Sequence, residues 1–260
     1  MSATKNPAFV LKTYDYRDTS LLGDFYTRDH GRIRGIVKGI RDTRAHFGST
    51  LEPFSLNEIL FYKKRRGGDL HLVTQVDMTD EFDRVRLDLE RLATASYCIE
   101  LVSELVEPEE PQPVIFDLIR DTLLFLSSGA SCKRGARIFE VKLLESLGLM
   151  PEIKRCVVCR NVPAEPVFFN ASLGGIHCKE CRPRTGARQV SPEHGEVSVP
   201  VSQGTLNFLD RARRSPLKDL YQVKVVKEVG EELEKVLRRF TDFHLSHKLK
   251  SLVFMEKMGF

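Results

Sequence analysis

The stretch GRIRGIVKGIRDTR, residues 31–44, decides how the first third of this chain is read. Apolar Ile33, Val37 and Ile40 are interleaved with Arg32, Arg34, Lys38, Arg41 and Arg44, and three glycines punctuate the run. Alternation of period two predicts a strand with one dry and one wet face. The wet face is mostly cationic, although Ile36 and Ile40 fall out of phase. Glycines permit a bulge or a close backbone approach, and a bulge would account for the two misplaced isoleucines. Taken alone, the stretch fits a solvated edge strand whose cations block aggregation better than it fits a ligand surface. Its neighbours change that balance.

Residues 8–77 read as five short strands: Ala8–Tyr16, Ser20–Arg28, Gly31–Ile40, Leu51–Tyr62 and Leu70–Val76. Polar and glycine turns join them, including the basic turn Lys63-Lys64-Arg65-Arg66. Five strands at this spacing predict a small barrel of the OB type, whose rims and open face commonly hold single-stranded nucleic acid. A short cationic strand feeding a cationic loop presents a groove to phosphates. Arg32, Arg34, Lys38, Arg41, Arg44, Lys63, Lys64, Arg65 and Arg66 are therefore the candidate nucleic-acid contacts. Among the nearby aromatic residues Phe47 is the best stacking candidate, since most of the others are needed to fill the barrel.

From Asp80 the period changes to that of a helix. Phe82, Val85, Leu89, Leu92, Ser96, Ile99, Val102 and Val106 predict one long amphipathic helix, ended by the proline-rich run Glu107–Pro113. Further helices are expected over about 114–126, 134–147, 203–213 (capped by Ser202) and 228–245. Between them, residues 152–200 are rich in Gly, Pro and Cys, with too little apolar surface to fold unaided.

That segment holds the sharpest motif. Cys156-Val157-Val158-Cys159 and Cys178-Lys179-Glu180-Cys181 form two CxxC knuckles with 18 residues between them. Such spacing lets four thiolates meet around Zn²⁺, here in a structural role, because four cysteines leave no open position for water. His177 reads as a neighbour, and Cys98 and Cys132 as packing residues. His244 and His247 lack a third ligand and read as donors near a helix end. Motifs for nucleotide binding, serine hydrolysis or metalloproteolysis are absent from the sequence, and nothing in it asks for an enzyme.

Charge is weak overall but local. Residues 1–80 hold 13 Lys and Arg against 10 Asp and Glu, while the rest hold 27 against 26, so most of the +4 excess sits beside the predicted barrel. The apolar content of 42% and the charged content of 29% are those of a globular protein. Apolar runs stay short of a membrane span, and the N-terminus MSATKNPAFVLK has no secretion pattern, so a cytoplasmic protein without membrane partners is expected.

Taken together, AFVLKTYDYRDTSLLGDFYTRDHGRIRGIVKGIR (8–41), LEPF (51–54), RIFEVKLLESLGLMPEIKRCVVC (137–159) and HLSHKLKS (244–251) resemble the RecO family of bacterial DNA-repair mediators. The resemblance implies an α+β protein: a five-stranded OB-type barrel, then an α-helical domain with an inserted four-cysteine zinc module. The corresponding expected boundaries are 1–80 for the barrel, 81–155 and 201–260 for the helical domain, and 156–200 for the zinc insertion. It also implies binding of single- and double-stranded DNA, annealing of complementary strands, and joint action with RecR to help RecA displace the single-strand-binding protein. The family's basic strand and loop match Arg32, Arg34, Lys38, Arg41 and Arg44. Arg137 resembles a basic position in the pocket that, in some members, holds the C-terminal tail of the single-strand-binding protein. His244–Lys248 departs from the family's usual glycines and proline. The competing readings are a zinc-dependent nucleic-acid enzyme, such as a nuclease or deaminase, and a structural RNA-binding protein.

Overall fold

The computed structural model describes residues 3–40, 51–63, 70–181 and 198–260. Strands β1 (Ala3–Tyr16), β2 (Ser20–Thr27), β3 (Gly31–Val37), β4 (Leu56–Tyr62) and β5 (Leu70–Asp80) come first. Helices α1 (Asp83–Arg86), α2 (Leu89–Leu105), α3 (Pro113–Ser127) and α4 (Cys132–Ser146) follow. Then come β6 (Val167–Asn170), β7 (Gly175–Cys178) and β8 (Val199–Val201), and after them α5 (Gln203–Arg214), α6 (Leu217–Leu220), α7 (Lys227–His244) and α8 (Lys250–Met258). The chain forms two compact units, one of residues 1–132 with 249–260, the other of residues 133–248. Among the described residues no helix is long and apolar enough to cross a membrane.

In the first unit the five leading strands close into a barrel of order β1-β2-β3-β5-β4. β3 and β5 run parallel, Arg34–Val37 beside Leu70–Val73, while every other pairing is antiparallel, as the OB-type topology requires. Alternation does the sorting: Ala8, Val10, Phe25, Ile33, Val37, Ile59, Phe61, Val73 and Val76 point inward and are buried. β3 keeps an unbroken register with β2, so no bulge carries the out-of-phase isoleucines. Ile36 is half-buried on the outer side, and Ile40 turns into the core beyond the strand's end. Bulges occur elsewhere, in β1 at Val10/Lys12 and in the β4–β5 pair. Gly35 is needed where β3 lies beside β5, because a Cβ there would lie 2.5 Å from Val73 Cγ2.

The helices of this unit cover the outer side of the barrel. Phe9 points outward and packs against Phe116 of α3, the rings tilted by 47° with centres 4.9 Å apart, and Lys12 pairs with Glu104 of α2 at 2.8 Å. The single long helix expected over residues 82–106 is two, α1 and α2. Asp88 breaks it by turning extended and accepting the Arg91 N–H at 2.9 Å, which makes a fresh N-cap. Helix α8 was not legible in the apolar pattern. It rests on α2 through the buried Glu100, whose carboxylate accepts the backbone N–H groups of Lys250 (3.1 Å) and Ser251 (2.8 Å).

The second unit has one core. Ile138, Val141 and Leu144 of α4, Leu206 and Leu209 of α5, and Leu233, Val236, Leu237 and Phe240 of α7 pack with Val167, Phe169, Ile176 and Val201 of the three-stranded sheet β7-β6-β8. Phe169 meets Phe240 edge to face, ring centres 5.9 Å apart. The cysteine-bearing segment therefore completes a helical core instead of building its own. Ser202 caps α5 by accepting the Thr205 N–H, as its position in sequence suggested.

Candidate nucleic-acid interface and metal centre

The four cysteines come together. The Sγ atoms of Cys156, Cys159, Cys178 and Cys181 all lie within 4.8 Å of one another, and Cys159 Sγ is 4.0 Å from Cys178 Sγ. Four sulfurs at about 2.3 Å from one zinc sit roughly 3.8 Å apart, so the set fits a tetrahedral thiolate site without rearrangement of the backbone. Local geometry explains the convergence. The first knuckle is a turn closed by Arg160 N–H to Cys156 C=O at 2.9 Å, and Val157 N–H ties it to Ile176 C=O of β7 at 2.9 Å. The second knuckle begins at the end of that same strand.

Protonation of the set points the same way. Burial opposes ionisation of the Cys156 thiol, but backbone N–H groups of Cys159, Cys178 and Val158 outweigh it and bring its pKa down to about 6. The hydrogen bond shared with Cys178 pushes Cys181 up to about 12. One thiolate thus holds protons on its neighbours, and a divalent cation among them would let all four ionise. His177 is not in the group. It is fully buried, its Nδ1 2.9 Å from Cys178 C=O and its Nε2 2.8 Å from Ser198 Oγ, with its ring stacked on Phe168.

The basic strand is placed less simply. Arg32 and Arg34 both point outward from β3. Arg32 is half-buried and its guanidinium donates to the Ser103 carbonyl near the end of α2. Arg34 faces Asp24 directly across the strand pair. Its Nε and Nη2 meet the two carboxylate oxygens at 2.5 and 2.8 Å, with Arg34 half-exposed and the Asp24 side chain buried. Lys38, just past β3, and Lys63, just past β4, are exposed and make no ion pair among the described residues. β3 and β4 are the two neighbours of β5, so these lysines leave strands that flank it. Arg41, Arg44, Lys64, Arg65 and Arg66, like Phe47, lie outside the described residues. Arg137 sits on α4 with its side chain 10% exposed, 3.0 Å from the wholly buried carboxylate of Glu140 one turn on.

Reading by residue type missed what the proline-rich connection does. Residues 107–112 end α2 as expected, but they also lie along β3. The Glu109 N–H donates to the Arg32 carbonyl at 2.9 Å, Tyr26 Oη donates to Gln112 C=O at 3.1 Å, and Glu109 Oε1 is 3.1 Å from Nε2 of the buried His71. Gly31, at φ +65°, admits this approach, since a Cβ on it would lie 2.2 Å from the Glu110 carbonyl oxygen. Gly31 was the one signal in the sequence, and it is equally consistent with a turn.

Comparison with known proteins agrees with this architecture. The family described as Recombination protein O N terminal matches residues 1–82, and Recombination protein O C terminal matches residues 86–253. The DNA repair protein RecO of Syntrophus aciditrophicus is 31% identical over 256 residues, covering 98% of this chain and 95% of its own. Those of Pelotomaculum thermopropionicum (32% over 259 residues, 100% and 96%) and Myxococcus xanthus (30% over 260 residues, 100% and 99%) are similar over the same span. With a closed five-stranded barrel, the helices that follow it, a four-cysteine cluster and full-length relatives all in agreement, the chain belongs to the RecO family of DNA repair proteins.

Proposed function

We propose that the protein is a non-enzymatic recombination mediator that binds single- and double-stranded DNA through its barrel, anneals complementary strands and helps RecA load onto DNA coated with single-strand-binding protein. The observation that carries this reading is the pair of exposed lysines, Lys38 and Lys63, which have no ion-pair partner among the described residues, leave the strands on either side of β5 and precede in sequence the basic segments 41–44 and 64–66. Such cations neutralise phosphates without reading bases. Annealing then follows physically, because a cationic surface screens the repulsion between two strands and raises their local concentration while base edges stay free to pair. Arg32 contributes by holding β3 against α2, and Arg34 presents a guanidinium fixed in plane by Asp24.

In this reading Cys156, Cys159, Cys178 and Cys181 hold a structural Zn²⁺, which cross-links the two knuckles and so supports the core of the second unit. RecR and the C-terminal tail of the single-strand-binding protein are the proposed protein partners, RecA an indirect one. A tail carboxylate reaching Arg137 would have to compete with Glu140. A bacterial cytoplasmic, nucleoid-associated setting is proposed with that role. The deciding experiment is strand annealing on DNA coated with single-strand-binding protein, intact or lacking its C-terminal tail. Annealing of naked DNA and of DNA coated with the intact protein, but not of DNA coated with the tailless protein, supports both the activity and the partner. Failure to anneal even naked strands refutes the mediator reading.

A further inference from the structure

Between the outer face of β2–β3 and the connection at 108–109 lies a cavity of about 130 Å³, lined by Asp24, Arg32, Ile33, Arg34, Pro108 and Glu109. A cavity of roughly 150 Å³ takes one benzene, so this one is sized for a single six-membered ring. Its lining is of mixed sign: two guanidiniums beside two carboxylates. Near-neutral lining makes it a poor phosphate site, since the carboxylates repel the anion that the arginines would attract. It suits a flat, uncharged ligand with donors on one edge and acceptors on the next.

The walls are fixed before any ligand arrives. Asp24 holds the Arg34 guanidinium at two points, which sets the plane of a half-exposed plate. Pro108 pairs with Arg32 across a β-bridge, and the Glu109 N–H is bonded to the Arg32 carbonyl. Glu109 Oε1 is taken by His71, while Oε2 has no partner among the described residues. Arg34 lies on β3 four residues before the exposed Lys38, about 13 Å along an extended chain. A strand held at Lys38 therefore has the mouth of the cavity within reach.

We propose that this cavity is a subsite for one unpaired cytosine of the bound strand. The proposal rests on the single-strand reading above and adds a base preference to it. Cytosine offers its N4 amino group to a carboxylate, here that of Glu109, and its neighbouring N3 and O2 acceptors to a guanidinium. The pinned plate of Arg34 supplies a face on which the ring stacks. Thymine turns an O4 acceptor toward the carboxylate in place of the amino group, and purines carry a second ring for which the volume leaves no room.

The test compares oligo(dC) and oligo(dT) of equal length by fluorescence anisotropy on the full chain, at mildly alkaline pH where cytosine is neutral. One good donor–acceptor pair predicts oligo(dC) binding about five- to tenfold more tightly. In Glu109→Gln the preference should fall below about twofold with oligo(dT) affinity retained or raised, because a repelling charge is gone and the ring still fits. Asp24→Asn, which loosens the two-point hold on the Arg34 plate, should lower the preference in the same way while Lys38 and Lys63 stay in place. Equal binding of the two oligonucleotides by the unmodified protein overturns the cytosine subsite, and so does an unchanged preference in both variants. Binding of neither oligonucleotide overturns the single-strand reading itself, a distinguishable outcome.

Discussion

Arg32 and the pair Lys38 and Lys63 all belong to the proposed basic surface by sequence, yet the structure surrounds them differently, and salt dependence would separate the two. Each phosphate neutralised on a single strand contributes about −0.7 to the slope of log K against log salt. If about six cations touch the strand, the unmodified protein should show a slope of roughly −4. Lys38→Ala with Lys63→Ala removes two exposed cations that have no ion-pair partner among the described residues, so the slope should flatten by about 1.4. Arg32→Ala should leave the slope unchanged, because that guanidinium is spent on the Ser103 carbonyl. Its effect should fall on the fold instead. Loss of a charge-assisted hydrogen bond costs about 1.5–3 kcal/mol. A global unfolding energy is ill-defined for a chain of two units. The local readout is hydrogen exchange at the Glu109 amide, which bonds to the Arg32 carbonyl and should exchange more than tenfold faster. A slope flattened by Arg32→Ala as much as by either lysine change, or unmoved by the double lysine variant, would refute this division of labour.

Three further outcomes follow from the packing. Glu100→Ala leaves the Lys250 and Ser251 amides without their buried acceptor, at a cost of about 2–4 kcal/mol, so proteolysis at residues 249–260 should accelerate sharply while the barrel stays protected. Chelation, or Cys159→Ser, should release about one zinc per chain and loosen α4, α5 and α7 along with the sheet, read as faster exchange at all three; loosening confined to residues 152–181 would contradict a shared core. Glu232 receives Ser202 N–H at 2.9 Å and the Ser202 and Thr205 hydroxyls at 2.8 and 2.7 Å. Burial opposes its ionisation, but these donors outweigh it and hold its pKa below the ordinary 4.5. Because the folded value is depressed, the stabilisation is complete above the unfolded pKa and is lost as pH falls through the folded one. Glu232→Gln should therefore remove part of the acid sensitivity of α5 docking below about pH 4.5, measured by the pH dependence of exchange at Thr205.

Much of the fold was legible in the sequence because its signals were short-range. The alternation Arg32-Ile33-Arg34 marked β3, and the CxxC knuckles marked the four-cysteine cluster, since the strand and each knuckle depend on residues within a few positions of one another. The misreadings arise where a distant partner decides. Asp88 looks like one more polar position on a helix until its side chain caps Arg91, and α8 looks unremarkable until Glu100, 150 positions away, satisfies its first turn. The surroundings of the basic residues were half legible for the same reason. Residue type identified the cations, but only the fold shows that Asp24 and Ser103 engage two of them while Lys38 and Lys63 have no ion-pair partner among the described residues. Periodicity carries no record of such cross-strand and strand-to-helix partners.

The return of residues 249–260 to the first unit has a consequence for synthesis. The surface of α2 that receives α8 emerges from the ribosome well before α8 does, with the whole second unit, residues 133–248, made between the rest of the first unit and α8. At 5–20 residues per second those 116 residues take about 6 to 23 s to make. Throughout that interval the barrel and its first helices wait with Glu100 uncapped by its eventual partner, a window in which a ribosome-bound chaperone or protease would meet an unfinished domain.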